Sequence, residues 1–250
     1  MSTAPTAPVP EQPQLSQPQR ILNVFFDPVK TFTDLKRGTA WWMAFLLIAI
    51  SSYAFIATVA TKIGWEQVSE NQMKMNPKAA ERMEQMTPEQ RAQALKMGVT
   101  ITKGISYAIP VVSIVIMALI AAVVMATLNF GFGADVTFGR ALAVVVYANV
   151  VGILKAILVI VTLFAGASPE DFTFQNPLAS NLGYFVNMSE HRALYALGSA
   201  LDIFTIWILV LTGIGFACVS RAKRGTALAV VFGWWALMTL ISVGFAALAG

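Results

Sequence analysis

Of 250 residues, 57% are hydrophobic and only 12% are charged, too few polar groups to clothe a water-soluble globule, so the chain is expected to have lipid as its solvent. The net charge of +4 does not argue for nucleic acid, because the basic residues sit in loops beside apolar runs, where they meet lipid headgroups instead. The single cysteine, Cys218, excludes an internal disulfide.

Residues 1–19 are mostly Pro, Gln, Ser, Thr and Ala with one acid, Glu11, a composition that cannot offset ordering entropy and predicts a disordered tail. No basic stretch followed by an apolar one precedes residue 20, so this is not read as a secretory signal. Over residues 20–39 the pattern changes. Ile21, Leu22, Val24, Phe25 and Phe26 lead to Asp27-Pro28, an N-cap and first-turn pair. Val29, Phe32 and Leu35 then recur every three residues, opposite Lys30, Asp34, Lys36 and Arg37. Two readings fit this segment: an interfacial amphipathic helix on an anionic leaflet, or a helix packed under the bundle.

Residues 40–250 carry five apolar stretches of membrane-crossing length, since a core of ~30 Å takes ~20 helical residues. The first runs from about Trp41 to Ile63, flanked by Trp41, Trp42 and Trp65 as an aromatic belt. A polar stretch follows, with helix starts at Asn76-Pro77 and at the capping box Thr87-Pro88-Glu89-Gln90. It predicts a helical hairpin outside the bilayer, whose second arm runs on into the second span, Ser106 to Phe130. The remaining spans are Phe138 to Ala165, His191 to Val219 and Thr226 to Ala249, separated by Gly131, Gly133 and Asp135, by Ser168-Pro169 and Asn176-Pro177, and by Arg221, Lys223, Arg224 and Gly225. The expected fold is therefore all-α: a five-helix transmembrane bundle with a juxtamembrane amphipathic helix and an extramembrane hairpin between spans one and two.

Basic residues divide evenly between the two sides, so the positive-inside rule is decided by the charges nearest the first span. There Lys30, Lys36 and Arg37 outweigh Lys62, which places the amino terminus inside and the carboxy terminus outside. Lys30, Lys36, Arg37, Arg221, Lys223 and Arg224 are then the expected headgroup contacts.

Lys155 in the third span and Asp202 in the fourth form the sharpest constellation, because a charge at mid-bilayer costs ~2.5 to 3.5 kcal/mol. From the same surface, Lys155 lies roughly 15 Å and Asp202 roughly 14 Å deep at the helical rise, so they can meet. Gly152 shares the face of Lys155, and Tyr195, Gly198, Ser199 and Thr205 share that of Asp202. Such a pair is either a gated or proton-linked site in a transporter or a structural pair fixing the register of two spans.

Ala118, Ala122 and Ala126 in span two, with Gly213 and Gly215 in span four, fit close packing within the bundle or a homo-oligomer contact. Met73, Met75, Met83, Met86 and Met97 crowd the hairpin at irregular spacing without Cys or His, so packing is preferred to a soft-metal site and no metal or cofactor is expected. No nucleophile elbow, phosphate loop, HExxH or catalytic carboxylate pair is present, so no enzyme activity is expected.

ILNVFFDPVKTFTDLKRGTAWW at 21–42, TFGRALAVVVYA at 137–148, Asn176-Pro177 followed by NLGYF, and LDIFTIWILVLTGIGF at 201–216 resemble the bacterial branch of the Yip-one (Ypt-interacting protein) domain family. The resemblance covers residues 20–248. It implies five membrane helices, a cytosolic amino terminus and, in eukaryotic members, a role in vesicle trafficking with Rab-type GTPases. Those relatives carry a Leu-Tyr-Gly-Pro motif near the amino terminus that this chain lacks, so GTPase binding does not carry over. Location follows the same resemblance: a bacterial inner membrane, or the Golgi and endoplasmic reticulum in a eukaryote.

Two classes of function remain. In the first, a non-enzymatic protein organises membrane or recruits a protein partner through residues 1–37. In the second, a transporter, channel or lipid scramblase uses Lys155 and Asp202. Five spans do not divide into equal inverted halves, and no matched pair of broken helices is visible, which favours the first.

Overall fold

In a computed structural model, residues 13–75, 77–188 and 190–249 are described. The predicted tail at 1–12 and the Asn76 half of one helix start lie outside them. Among the described residues, four helices are long and apolar enough to cross a membrane: Trp42–Lys62, Pro88–Phe132, Phe138–Phe164 and Arg224–Leu248. A fifth apolar helix, Ile203–Val219, is shorter. Among the same residues there is no strand, only an isolated bridge between Asn181 and Asp202.

The chain opens with α1 (Gln17–Phe26) and α2 (Pro28–Asp34). Ordered structure therefore begins before residue 20: Ser16 and Gln19 cap each other reciprocally to start α1, a signal the Pro/Gln-rich composition hides. Asp27 caps α2 by accepting from the Lys30 N–H at 3.2 Å. The polar face expected for this segment is only partly polar. Asp34 is buried against Arg20, itself buried, with Arg20 Nη2 2.8 Å from Asp34 Oδ2. The Leu15 N–H also donates to Asp34 Oδ2, and the Thr31 hydroxyl donates to the Arg20 carbonyl. Arg20 is thus internal to the fold, because ion pairing inside the two-helix elbow satisfies it where a lone charge would not be tolerated.

This elbow packs under the bundle. Phe32 and Leu35 are fully buried, and Phe32 sits against Val144 and Gly215, where a Cβ on Gly215 would come to 3.0 Å from Phe32 Cδ1. Leu22, Phe26, Val29 and Lys30 remain exposed on its other side. One face of the segment is therefore core, as the packed reading expects, and the other is exposed.

Next comes α3 (Trp42–Lys62), then α4 (Trp65–Lys74), α5 (Pro77–Glu84) and α6 (Pro88–Phe132). The 45 residues of α6 run ~67 Å at 1.5 Å per residue, twice a bilayer core, so the arm and the second span are one helix. Thr87 and Gln90 cap its start. It ends at Gly133, left-handed at φ +61°, where the Ala134 N–H bonds back to the Leu128 carbonyl. Its core face is Met117, Ala121, Val124 and Leu128. The stripe of Ala118, Ala122 and Ala126 lies one step round and is only half-buried.

The third span is kinked and the fourth is not a continuous helix. The third divides into α7 (Phe138–Ala148) and α8 (Val151–Phe164), joined by i to i−3 bonds from Val150 N to Tyr147 O and Gly152 N to Asn149 O. There the Asn149 side chain donates to the Val145 carbonyl. The fourth divides into α9 (Arg192–Ala200) and α10 (Ile203–Val219), followed by α11 (Arg224–Ala249). Unbroken hydropathy hides both the kink in the third span and the break in the fourth. Gly213 brings α10 onto α11, since a Cβ there would lie 3.1 Å from Leu228 Cα, so both small residues of this span are used inside the bundle.

One core, including Phe32, Leu128, Tyr147 and Phe216, joins α1, α2, α6, α7, α10 and α11. A second, at the α4 end, groups Val59, Val68, Val159, Leu163 and Phe172 with Phe55 and Phe174. Asp34→Ala is expected to lower the thermal stability of detergent-purified protein by ~3–5 kcal/mol, the cost of stranding a buried charge, with most of it regained in Arg20→Met/Asp34→Leu. Equal instability of the single and double variants would refute this account.

Candidate functional site

Asp202 is the centre of the site. Its carboxylate closes the gap between α9 and α10 as the N-cap of α10, with Oδ1 accepting from the Phe204 N–H at 3.0 Å and the Thr205 N–H at 3.1 Å. Oδ2 accepts from Lys155 Nζ at 3.0 Å and, in a short hydrogen bond, from the Ser180 hydroxyl. Asp202 is 2% exposed, and all four of its donors are protein groups. An aspartate in an apolar run reads as a mid-helix charge; its preference for N-caps is what converts it into a break.

A third segment completes the site. The connection from 165 to 191 folds back against α9: Ile203 N donates to the Ser180 carbonyl at 3.0 Å, and Asn181 bridges to Asp202. Asn181 Nδ2 donates to Asn176 Oδ1 and Asn176 Nδ2 to the Ser199 hydroxyl, at 2.9 and 3.0 Å. Gly183 lies backbone to backbone with Gly198, close enough that a Cβ on Gly198 would fall 2.6 Å from the Gly183 N. Among the described residues no buried side-chain polar atom lacks a partner.

The residues singled out from sequence are distributed unevenly. Lys155 and Asp202 pair directly, Lys155 with 28% of its side chain exposed. Thr205 contributes its N–H, Ser199 its hydroxyl and Gly198 its missing side chain. A Cβ on Gly152 would meet nothing within 4 Å, so this glycine stands apart from the site. Tyr195 faces a cavity of about 510 Å³ above the knot, lined also by Asn71, Lys74, Glu170, Thr173 and Asn176. Asn176, Ser180, Asn181 and Gly183 were not anticipated as site residues. Their signal is a long connection rich in Asn, Ser and Gly between two spans, more polar and longer than a simple turn needs.

At the opposite end Lys30, Lys36, Arg37, Lys223 and Arg224 are exposed. Arg221 is exposed too, 3.9 Å from Asp135, and Arg140 Nη2 donates to the Lys36 carbonyl at 3.3 Å. These charges form a basic rim around the α1–α2 elbow.

Ala in place of Gly198 is expected to cost about 1–3 kcal/mol or more in thermal unfolding, because backbone rather than a movable side chain occupies the space. Asp202→Asn and Lys155→Met should be non-additive by ~0.5–3 kcal/mol in a double-mutant cycle; additive losses would show that the pair carries no coupling.

Comparison with curated proteins gives no match, and comparison with solved structures gives none. A family model described as the Yip1 domain matches residues 22–245, a span that begins inside α1, holds the Lys155–Asp202 pair and ends within α11. The chain is a multi-pass membrane protein and belongs to the Yip1 domain family.

Proposed function

We propose that this protein is non-enzymatic and organises membrane, in a trafficking-like role, by seating its α1–α2 elbow in one leaflet. The observation that carries the reading is the division of that elbow into a locked face and a free face. Arg20–Asp34, Phe32 and Leu35 fix it under the bundle. Leu22, Phe26 and Val29 project from it, at 60%, 83% and 46% exposure, beside the basic rim and the Trp41–Trp42 level. Apolar side chains with lysines at their edge favour the headgroup boundary of an anionic leaflet over a protein partner. An elbow held there on one side only adds cross-section to that leaflet and not to the other. On this reading the amino terminus is cytoplasmic, the carboxy terminus is outside, and a bacterial inner membrane is the setting.

Reconstituted into vesicles containing anionic lipid, the protein is expected to shift them to smaller diameter or tubules in cryo-electron micrographs. Phe26→Asp with Leu22→Asp should abolish the shift while leaving thermal stability unchanged. Vesicles that keep their size and shape with the wild-type protein would overturn the proposal.

A second reading is favoured by one observation: Lys155 of the third span pairs with Asp202 at the break of the fourth, beside a polar cavity. Discontinuous helices of this kind hold substrates in transporters. The same vesicles distinguish the two, since solute or lipid flux lost in Asp202→Asn would support transport, and absence of flux would eliminate it.

A further inference from the structure

The connection between the third and fourth spans changes character along its length. Glu170, Asp171 and Gln175 are exposed where it begins, and Asn187 and Glu190 are exposed where it ends. Between 176 and 186 the exposed residues are instead Ala179, Leu182, Tyr184 and Phe185, the last three each more than half exposed. Tyr184 borders the polar cavity, but neither Leu182 nor Phe185 does.

Backbone contacts fix how deep this middle part reaches. Ile203 N donates to the Ser180 carbonyl at 3.0 Å, the Ser180 hydroxyl donates to Asp202, and Gly183 lies on Gly198, so Ser180 to Gly183 stand level with the Asp202 break. Three helices measure that level. From Phe164 to Lys155 on α8, and from Arg192 to Asp202 through α9, the helical rise gives roughly 13–15 Å. Antiparallel to α10, α11 places Leu228 against Gly213 and Ala246 and Ala247 beside Arg192 and Leu194, which sets Asp202 opposite Thr239, roughly 12 Å in from Ala247. The outer ends carry boundary residues: Lys62 lies over the Phe164 ring at 4.2 Å with Trp65 just beyond, and Glu190, His191 and Arg192 head α9. Inward of these, α8 holds no charge but Lys155, and α11 holds none after Arg224.

We infer that residues 176–186 form a re-entrant segment that dips into the hydrocarbon of the leaflet on the α4 side and returns, with Leu182 and Phe185 against acyl chains. At this level α11, long and apolar enough to cross a bilayer, exposes Leu237, Leu240, Ile241 and Phe245, so the solvent there is lipid. The apolar surface is also continuous, because Leu201 and Ile203 are exposed beside the Ser180 contact and carry it on into α10. Non-helical backbone is tolerated in hydrocarbon only where the protein supplies its partners, and it does so here. Asn181 and Gly183 are buried, the Tyr184 N–H donates to Asn181 Oδ1 at 3.1 Å, and the Val186 N–H donates to the Gly183 carbonyl at 3.1 Å. A loop in water would turn its asparagines outward and its leucine and phenylalanine inward, the reverse of this arrangement. The segment stands at the end of the bundle opposite the elbow, and its assignment is independent of the elbow's.

The test uses power-saturation EPR on the full-length chain in phospholipid nanodiscs. In a Cys218→Ser background, Leu182→Cys, Phe185→Cys, Gln175→Cys and Asn187→Cys are each spin-labelled, with Leu240→Cys as the lipid-facing reference. Labels at 182 and 185 are expected to match the one at 240, with relaxation by oxygen several-fold greater than by a water-soluble nickel chelate, and labels at 175 and 187 to show the reverse. Nickel access at 182 and 185 equal to that at 187 would put the segment in water and overturn the assignment. Exclusion of both reagents, with dipolar broadening between chains in nanodiscs holding two copies, would give the surface to a second copy and overturn it equally. Thermal unfolding of each labelled variant shows which are folded, and having two positions within the segment keeps the test decisive when one substitution fails.

Discussion

A buried carboxylate must be given its donors by the protein, and Asp202, 2% exposed, obtains four of them from three parts of the chain. The backbone of α10 supplies two through an N-cap, α8 supplies Lys155, and the 165–191 connection supplies Ser180. Satisfying one residue therefore fixes where the fourth span breaks, how that span docks on the third and how the connection lies against both. The Asn176–Asn181–Ser199 relay and the Gly183–Gly198 contact extend the same knot outward. Where burial keeps water from replacing a missing partner, a half-made set of such bonds costs more than an apolar contact.

The amino-terminal elbow repeats this logic with the charges exchanged. Arg20 is the buried partner that demands compensation, and Asp34, brought round by the Asp27-Pro28 turn, provides it. The two knots stand at opposite ends of a bundle whose cores are likewise separate, one beneath the elbow and one under α4. Each end is thus locked by its own polar centre, and the helices between them pack through small residues such as Ala121 and Gly213.

Much of this architecture is legible in the amino-acid sequence for a plain reason: hydrocarbon demands long apolar helices, and their lengths, their flanking tryptophans and the Thr87–Gln90 capping box are local patterns. The meeting of Lys155 with Asp202 follows from rise per residue alone. What the pattern conceals is anything that depends on a partner distant in the chain. Arg20 reads as a surface charge until Asp34 is placed beside it; Asp202 reads as a residue in mid-helix until Ser180 is. The breaks at Asn149 and Leu201 leave hydropathy unaltered, so no periodicity marks them. Asn176, Asn181 and Gly183 look like ordinary loop residues because their work is done against α9, which sequence spacing does not bring near.

The unbroken length of α6 has a mechanical consequence. A rod of some ~67 Å that crosses the bilayer and continues into water adjusts to a thinner or thicker membrane by leaning. Its foot is held by the tight turn at Gly133 and Asn129, and its far arm carries α4, whose Asn71 donates to the Pro169 and Phe172 carbonyls, so the hairpin and the 165–191 connection take their position from this one helix.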